Sequence, residues 1–178
     1  DQSENIKLNN FQSIEILNYA ASNTIDLFLE LNESEKDWES SVSHNRFNSI
    51  GRTKVKTITI DKLMESKKLS NFHLIIKIDV EGHEMNVIRG AYNIIKIYYP
   101  LIIIEFSKFI EMNDKHDYEN LENFLNEYDY QVYDAGYKKI NLKIVKERLN
   151  KLSKNMYGIG NNFLIKKNSN FEKMIQNV

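Results

Sequence analysis

Two short, almost entirely apolar segments constrain the fold of this chain most strongly. They are Leu74–Ile78 (LIIKI) and Leu101–Phe106 (LIIIEF), and apolar runs of this length are typical of strands that are buried on both faces of a parallel sheet. Between them, apolar side chains recur every three or four residues from Met85 to Ile95 and predict one helix, which ends before Pro100. The order strand, helix, strand predicts an α/β fold, and we expect Leu74–Ile78 to lie centrally in the sheet.

Weaker patterns predict the remaining elements and a single domain over residues 1–168, followed by a polar tail over 169–178. Alternation or β-branched residues predict strands at Ile14–Tyr19, Thr24–Leu31, Lys54–Ile60, Tyr130–Asp134, Ile140–Ile144 and Asn162–Lys166. Helices are expected at Glu4–Asn10, Lys62–Lys67, Tyr118–Tyr128 and Val145–Lys154. Asp61 is the predicted N-cap of the second of these helices. The polar stretch Asn32–Gly51 is expected to be a long loop.

Composition excludes several classes of function. The net charge of the 178 residues is −1 and acids are interleaved with bases, so we expect no nucleic-acid partner. The chain has no cysteine, which excludes disulfides and thiolate metal sites. Its apolar runs are too short to cross a bilayer and no leader peptide is visible, so we expect a cytoplasmic protein without a membrane partner.

Polar side chains follow the first apolar strand closely. Asp79, Glu81, His83 and Glu84 lie within six positions, and Glu105 stands near the end of the second strand. Ligands of parallel sheets bind beyond the carboxyl ends of the strands, so Asp79 and Glu105 are candidates for a site. His83 or Glu81 could remove a proton from a hydroxyl group. Alternatively, Asp79 and Glu81 could hold a divalent cation, or the glutamates could only interact with a helix dipole.

A longer run carries a family resemblance. The segment Lys77–Ala91 (KIDVEGHEMNVIRGA) strongly resembles the signature of the FkbM family of S-adenosylmethionine-dependent methyltransferases. Further segments follow in the order of that family, and the resemblance covers roughly residues 3–110. These segments are Ile14–Ser22 (IEILNYAAS), Ser40–Val42 (SSV), Val55–Leu63 (VKTITIDKL) and Tyr99–Phe106 (YPLIIIEF).

The resemblance implies a Rossmann-like methyltransferase sheet, mostly parallel with antiparallel closing strands. It also implies S-adenosyl-L-methionine as cofactor and transfer of a methyl group to a hydroxyl of a sugar or a small natural product. The catalytic residues that it suggests are Asp79, Glu81 and His83. The cofactor-binding residues are Asn18, Ala20, Ala21 and Asp79, and the residues on the acceptor side are Ser41, His44 and Glu105.

The sequence departs from the family at its beginning. The glycine-rich turn after the family's first strand and the acid after its second strand are not present, so we expect the N-terminal strands of the sheet to be missing. The chain then resembles the C-terminal two-thirds of the domain and should bind the cofactor poorly by itself. Two other functions stay open: a metal-dependent glycosyltransferase using Asp79 and Glu81, and a non-catalytic remnant that acts as an interaction domain.

Overall fold

The computed structural model describes residues 2–34, 49–65, 67, 73–80, 82–108, 110, 114–153 and 158–176. The helices in these ranges are α1 (Gln2–Leu8), α2 (Ile60–Met64), α3 (Glu84–Arg89), α4 (Tyr92–Tyr98), α5 (Asp117–Glu127), α6 (Leu142–Asn150) and α7 (Asn170–Ile175). The strands are β1 (Ala20–Ala21), β2 (Phe28–Ser34), β3 (Ser49–Ile58), β4 (Ile75–Ile78), β5 (Leu101–Ser107), β6 (Tyr130–Tyr133), β7 (Lys139–Ile140) and β8 (Gly158–Lys166). The predicted α/β class is confirmed.

A small sheet in the N-terminal part has the strand order β1–β3–β2, with β1 parallel and β2 antiparallel to β3. The strand predicted at Ile14–Tyr19 is wrong, because the first described strand begins only at Ala20. The side chains of residues 14–18 are exposed, and this stretch is not paired with a strand in the described part of the chain. Alternating hydrophobicity alone could not show that this segment lacks a neighbouring strand.

The larger sheet has the order β4–β5–β8–β6–β7. Strands β4 and β5 are parallel, and β5–β8, β6–β8 and β6–β7 pair antiparallel. The antiparallel closing strands are therefore present as expected. Among the described strands, parallel pairing is limited to β4–β5 here and β1–β3 in the small sheet, so the architecture is mixed rather than mostly parallel.

The predicted central position of Leu74–Ile78 is wrong. Within the described residues, β4 hydrogen-bonds only to β5 and forms the margin of the larger sheet. Ile78 is 2% exposed, but Ile75 is 53% exposed and Lys77 is also exposed. An apolar composition shows that a strand is suited to burial, but it cannot show how many strands flank it.

The hydrophobic core lies between one face of the larger sheet and helices α3 to α6. Side chains alternate between the two faces of a strand, so Ile78 in β4 and Ile102 and Ile104 in β5 point to the same side. These three are almost fully buried, together with Phe124 of α5 and Val145 of α6. Burial of each such side chain contributes about 1.5 to 3 kcal/mol, which orients β4 and β5 firmly. The opposite face carries Lys77, Asp79 and Glu105.

Two of the differences from the sequence predictions change the type or number of elements. The single helix predicted after the signature is two helices, which are separated at Gly90–Ala91. The strand predicted at Ile140–Ile144 is wrong beyond Ile140. Asn141 ends it, because its side chain accepts a hydrogen bond from the Ile144 amide at 3.0 Å and caps α6.

The predicted polar tail contains α7. Ser169 caps this helix by accepting from the Glu172 amide, and the Glu172 side chain accepts from the Tyr133 hydroxyl at 2.7 Å and from the Asn168 amide. These bonds allow Glu172 to be buried on β6 although it is charged. No helix in the described ranges is long and apolar enough to span a membrane.

Candidate functional site

Two carboxylates follow the last residues that pair β4 with β5. That pairing ends at Ile78 and Ile104; Asp79 directly follows β4, and Glu105 lies within β5, which continues to Ser107 beside β8. Lys77 donates to Asp79 Oδ2 at 2.6 Å. Partial burial raises the pKa of Glu105, and the negative charge of Asp79 raises it further, whereas Lys77 lowers it. A carboxyl group next to another carboxylate holds its proton more tightly, so the Asp79 charge favours the protonated form of Glu105.

Gly158 in the neighbouring strand β8 makes room for this pair. A Cβ atom at position 158 would lie 2.7 Å from Glu105 Oε1 and 3.0 Å from the Phe106 carbonyl oxygen. A side chain there would displace the Glu105 carboxylate. The position of Glu105 therefore depends on a glycine more than 50 residues further along the chain.

The signature segment forms a tight turn between β4 and α3. Gly82 has φ 100°, a conformation that side-chain-bearing residues rarely adopt. Its amide donates to Glu84 Oε1 at 2.9 Å, and the Glu84 side chain is fully buried in the first turn of α3. Glu84 thus holds the turn together, in addition to any interaction with the dipole of α3.

The end of β1 meets this turn. Ser22, which directly follows Ala20 and Ala21, places its Oγ 3.0 Å from His83 Nε2, and both residues are buried. Ala20 and Ala21 are half-buried, whereas Asn18 is exposed. The structure therefore brings the predicted adenine-side residues Ala20 and Ala21 close to the signature segment. Ser22, which makes the contact, was not among the predicted site residues.

Gly90 permits the close approach of β1 to α3. A Cβ atom at this position would lie 2.0 Å from the Ser22 carbonyl oxygen, far inside the contact distance. The Ser22 amide in turn donates to the Ile58 carbonyl at the end of β3. Ser22 is therefore held by its backbone between β3 and the end of α3, as well as by its hydroxyl group.

Asp61 performs a different task from the predicted one. Thr59 is the N-cap of α2, since its hydroxyl accepts from the Lys62 amide at 3.1 Å. The Asp61 carboxylate instead accepts the amides of Asn93 and Ile94 at 3.1 and 2.9 Å, at the first turn of α4. A carboxylate satisfies two free amides there and also interacts favourably with the helix dipole. The sequence did not indicate the contact of Asp61 with α4, because a cap from a distant segment leaves no local sequence pattern.

Three predicted site residues, Glu81, Ser41 and His44, lie outside the described residues. Among the residues that the structure describes, no three His, Asp or Glu side chains form a group that could hold a metal ion. The proximity of Asp79 to Glu105 and of the β1 end to His83 follows from the tertiary structure. Among these contacts, the one made by Ser22 could have been suspected from the sequence, because Ser22 directly follows the predicted cofactor-side residues Ala20 and Ala21.

Asp79 lies on an open surface. Cavities of about 410, 430 and 330 Å³ lie at β6–α6, beside α1 and near α7, and neither Asp79 nor Glu105 lines any of these three. The Asp79 side chain is 44% exposed.

Comparison with protein families gives one informative result. The model of the methyltransferase FkbM domain matches residues 2–132 of the 178 residues, a span that includes β1 to β5, the signature turn and helix α5. Searches among curated proteins and among solved structures give no match. Because the matched span is well over half of the sequence, the chain belongs to the FkbM methyltransferase family.

Proposed function

We propose that this methyltransferase uses S-adenosyl-L-methionine and methylates a hydroxyl oxygen of a sugar or a small natural product. The observation that carries the proposal is the Asp79–Glu105 carboxylate pair, which lies just beyond the last paired residues of the parallel strands β4 and β5. Methylation of an alcohol needs a group that takes up the hydroxyl proton, held close to the acceptor oxygen. A pair of adjoining carboxyl groups meets this need.

Glu105 is suited to hold that proton. Its raised pKa brings a carboxyl group closer to the pH at which an enzyme works, which improves a general base. Lys77 balances the charge of Asp79 through the 2.6 Å contact. We assign Glu105 to the acceptor side and Asp79 to the boundary between acceptor and cofactor. Glu81 is retained as a second candidate for proton removal.

The described residues fit part of the proposed cofactor. Ala20 and Ala21 in β1 carry only methyl side chains, which would let a flat base approach the strand, and Asn18 offers an amide nearby in sequence. The Asp79 carboxylate can accept hydrogen bonds from an amine or a hydroxyl. When bound, the cofactor would supply an electrophilic methyl group on a sulfonium centre. Ser41 and His44 are proposed for the acceptor side from the family resemblance alone.

The test is methyl transfer by the gene product that carries this sequence. S-adenosylhomocysteine binding is measured by isothermal titration, and transfer from a methyl-labelled donor is measured with a panel of sugars and small alcohols. Asp79→Asn and Glu105→Gln preserve shape and remove charge, and each is expected to lower kcat at least tenfold. Lys96→Gln, at an exposed lysine of α4, is the control for a change of surface charge. Full activity of both carboxyl variants would refute the assignment.

The alternatives give different results in the same experiments. A glycosyltransferase that uses Asp79 and Glu81 would bind a sugar nucleotide in the presence of manganese and would not bind S-adenosylhomocysteine. A non-catalytic interaction domain would bind neither. Binding of S-adenosylhomocysteine without hydroxyl methylation would retain the cofactor assignment and refute the proposed acceptor.

A further inference from the structure

A chain of hydrogen bonds connects the end of β1, helix α3 and the start of α5. It runs from Ser22 Oγ to His83 Nε2 (3.0 Å), from His83 Nδ1 to Asn86 Nδ2 (3.0 Å) and from Asn86 Oδ1 to Arg89 Nη1 (3.1 Å). Arg89 Nη2 ends the chain on Asp117 Oδ1 at 2.7 Å. We call these five residues the His83 network. It joins the proposed cofactor side to the helix that follows β5.

The direction of each bond in the network is fixed by Arg89. A guanidinium group only donates, so the Asn86 side-chain oxygen must face it and the Asn86 amide group must face His83. His83 Nδ1 then accepts, and the ring proton is on Nε2, which donates to the Ser22 hydroxyl. The Ser22 hydroxyl in turn donates a hydrogen bond to Asn23 Oδ1 at 3.3 Å. His83 is therefore a neutral Nε2–H tautomer.

This tautomer has no free lone pair. Nδ1 uses its lone pair to accept from Asn86, and Nε2 carries the proton. A general base needs an unprotonated nitrogen that faces the acceptor oxygen. His83 is also buried, with only 7% of its surface exposed. The arrangement suits a residue that fixes the position of others, and it does not suit proton removal from a substrate.

We propose that His83 is a positioning residue and that Ser22 is its partner. Together, the two side chains hold the end of β1 against the signature turn. The catalytic consequence of this positioning rests on the proposed function, in which Ala20 and Ala21 of β1 lie on the cofactor side. It changes the role that the sequence suggested for His83 and leaves proton removal to the carboxylates. It also adds Ser22 to the residues on which cofactor binding depends.

The first experiment examines His83 without any ligand. Nitrogen-15 NMR of the imidazole distinguishes the Nε2–H tautomer from the Nδ1–H tautomer and from the charged ring. The Nε2–H form is expected at pH 7 in the unmodified chain. Ser22→Ala should speed hydrogen exchange at the amide of residue 22 at least tenfold, while the control Ser13→Ala, at an exposed serine, should not. A charged or Nδ1–H ring at pH 7, or unchanged exchange in Ser22→Ala, would overturn the proposal.

The second experiment separates positioning from base catalysis. His83→Gln can keep a donor towards Ser22 but cannot titrate. We expect this variant to raise the KM for S-adenosylmethionine more than it lowers kcat, and to retain the acidic limb of the pH–rate profile. Disappearance of that limb would identify His83 as the base and overturn the proposal. If the gene product transfers no methyl group, the proposed function fails, and the NMR and exchange results still decide the role of His83.

Discussion

Replacing Gly90 by alanine should destabilise the fold through a single contact. Gly90 has φ −74° and ψ −2°, which alanine adopts without strain, so only the added methyl group matters. That group would lie 2.0 Å from the Ser22 carbonyl oxygen, and β1 would have to move by roughly 1 Å or more to restore ordinary contact. Overpacking of this kind costs about 1 to 3 kcal/mol, and loss of the Ser22–His83 hydrogen bond costs about 1 kcal/mol more.

Part of this loss is offset, because alanine restricts the unfolded chain and thereby stabilises the fold by about 0.4 to 1 kcal/mol. The net decrease in the free energy of unfolding is then about 2 kcal/mol, which corresponds to a fall in Tm of about 4 to 8 °C for a chain of this size. Urea and thermal unfolding followed by circular dichroism measure both quantities.

Gly160→Ala is the matched control, because a Cβ atom there would meet nothing within 4 Å. We expect its free energy of unfolding to stay within about 0.5 kcal/mol of the original value. If Gly90→Ala were as stable as Gly160→Ala, the close packing of β1 on α3 would be refuted, and with it the structural basis of the site. NMR signals of the His83 ring should shift in the first variant only.

Three further predictions concern the same region. Arg89→Ala leaves the Asp117 side chain, which is 3% exposed, without its guanidinium partner, and urea unfolding should show a loss of about 3 kcal/mol, with a smaller loss for Arg89→Lys. Burial lowers the pKa of His83; the charge of Asp117 raises it by less, and Arg89 lowers it further. The unfolded ring takes up a proton near pH 6.5, so the stabilising contribution of the neutral ring should be complete above that pH and should be lost as the pH drops below it. The free energy of unfolding of His83→Gln should lack this dependence on pH. Asp61→Ala should cost about 1 to 2 kcal/mol and speed hydrogen exchange at the Ile94 amide, and Asp61→Asn should cost less because it retains an acceptor.

Much of the secondary structure followed from local patterns. Strand β5, helix α5 and strand β6 were predicted to within about one residue, because hydrophobic spacing and flanking turn residues act over short distances. Errors occurred where a distant group decides the local structure. Gly90 interrupts the predicted helix at the point where Ser22 packs against it. The strand expected at Ile140–Ile144 is a different case, because Asn141 caps α6 through a local contact with the Ile144 amide.

The sequence by itself determined the family, the α/β class and the placement of acids after the apolar strands, since these depend on residue order and spacing. Only the tertiary structure decided that β4 is a margin strand among the described strands, that Glu105 lies beside Asp79, and that His83 has both ring nitrogens in hydrogen bonds. Each of these depends on partners that are distant along the chain. The type of a residue determines which bonds its side chain can form. The packing of separate elements decides which of these bonds are present in the folded chain.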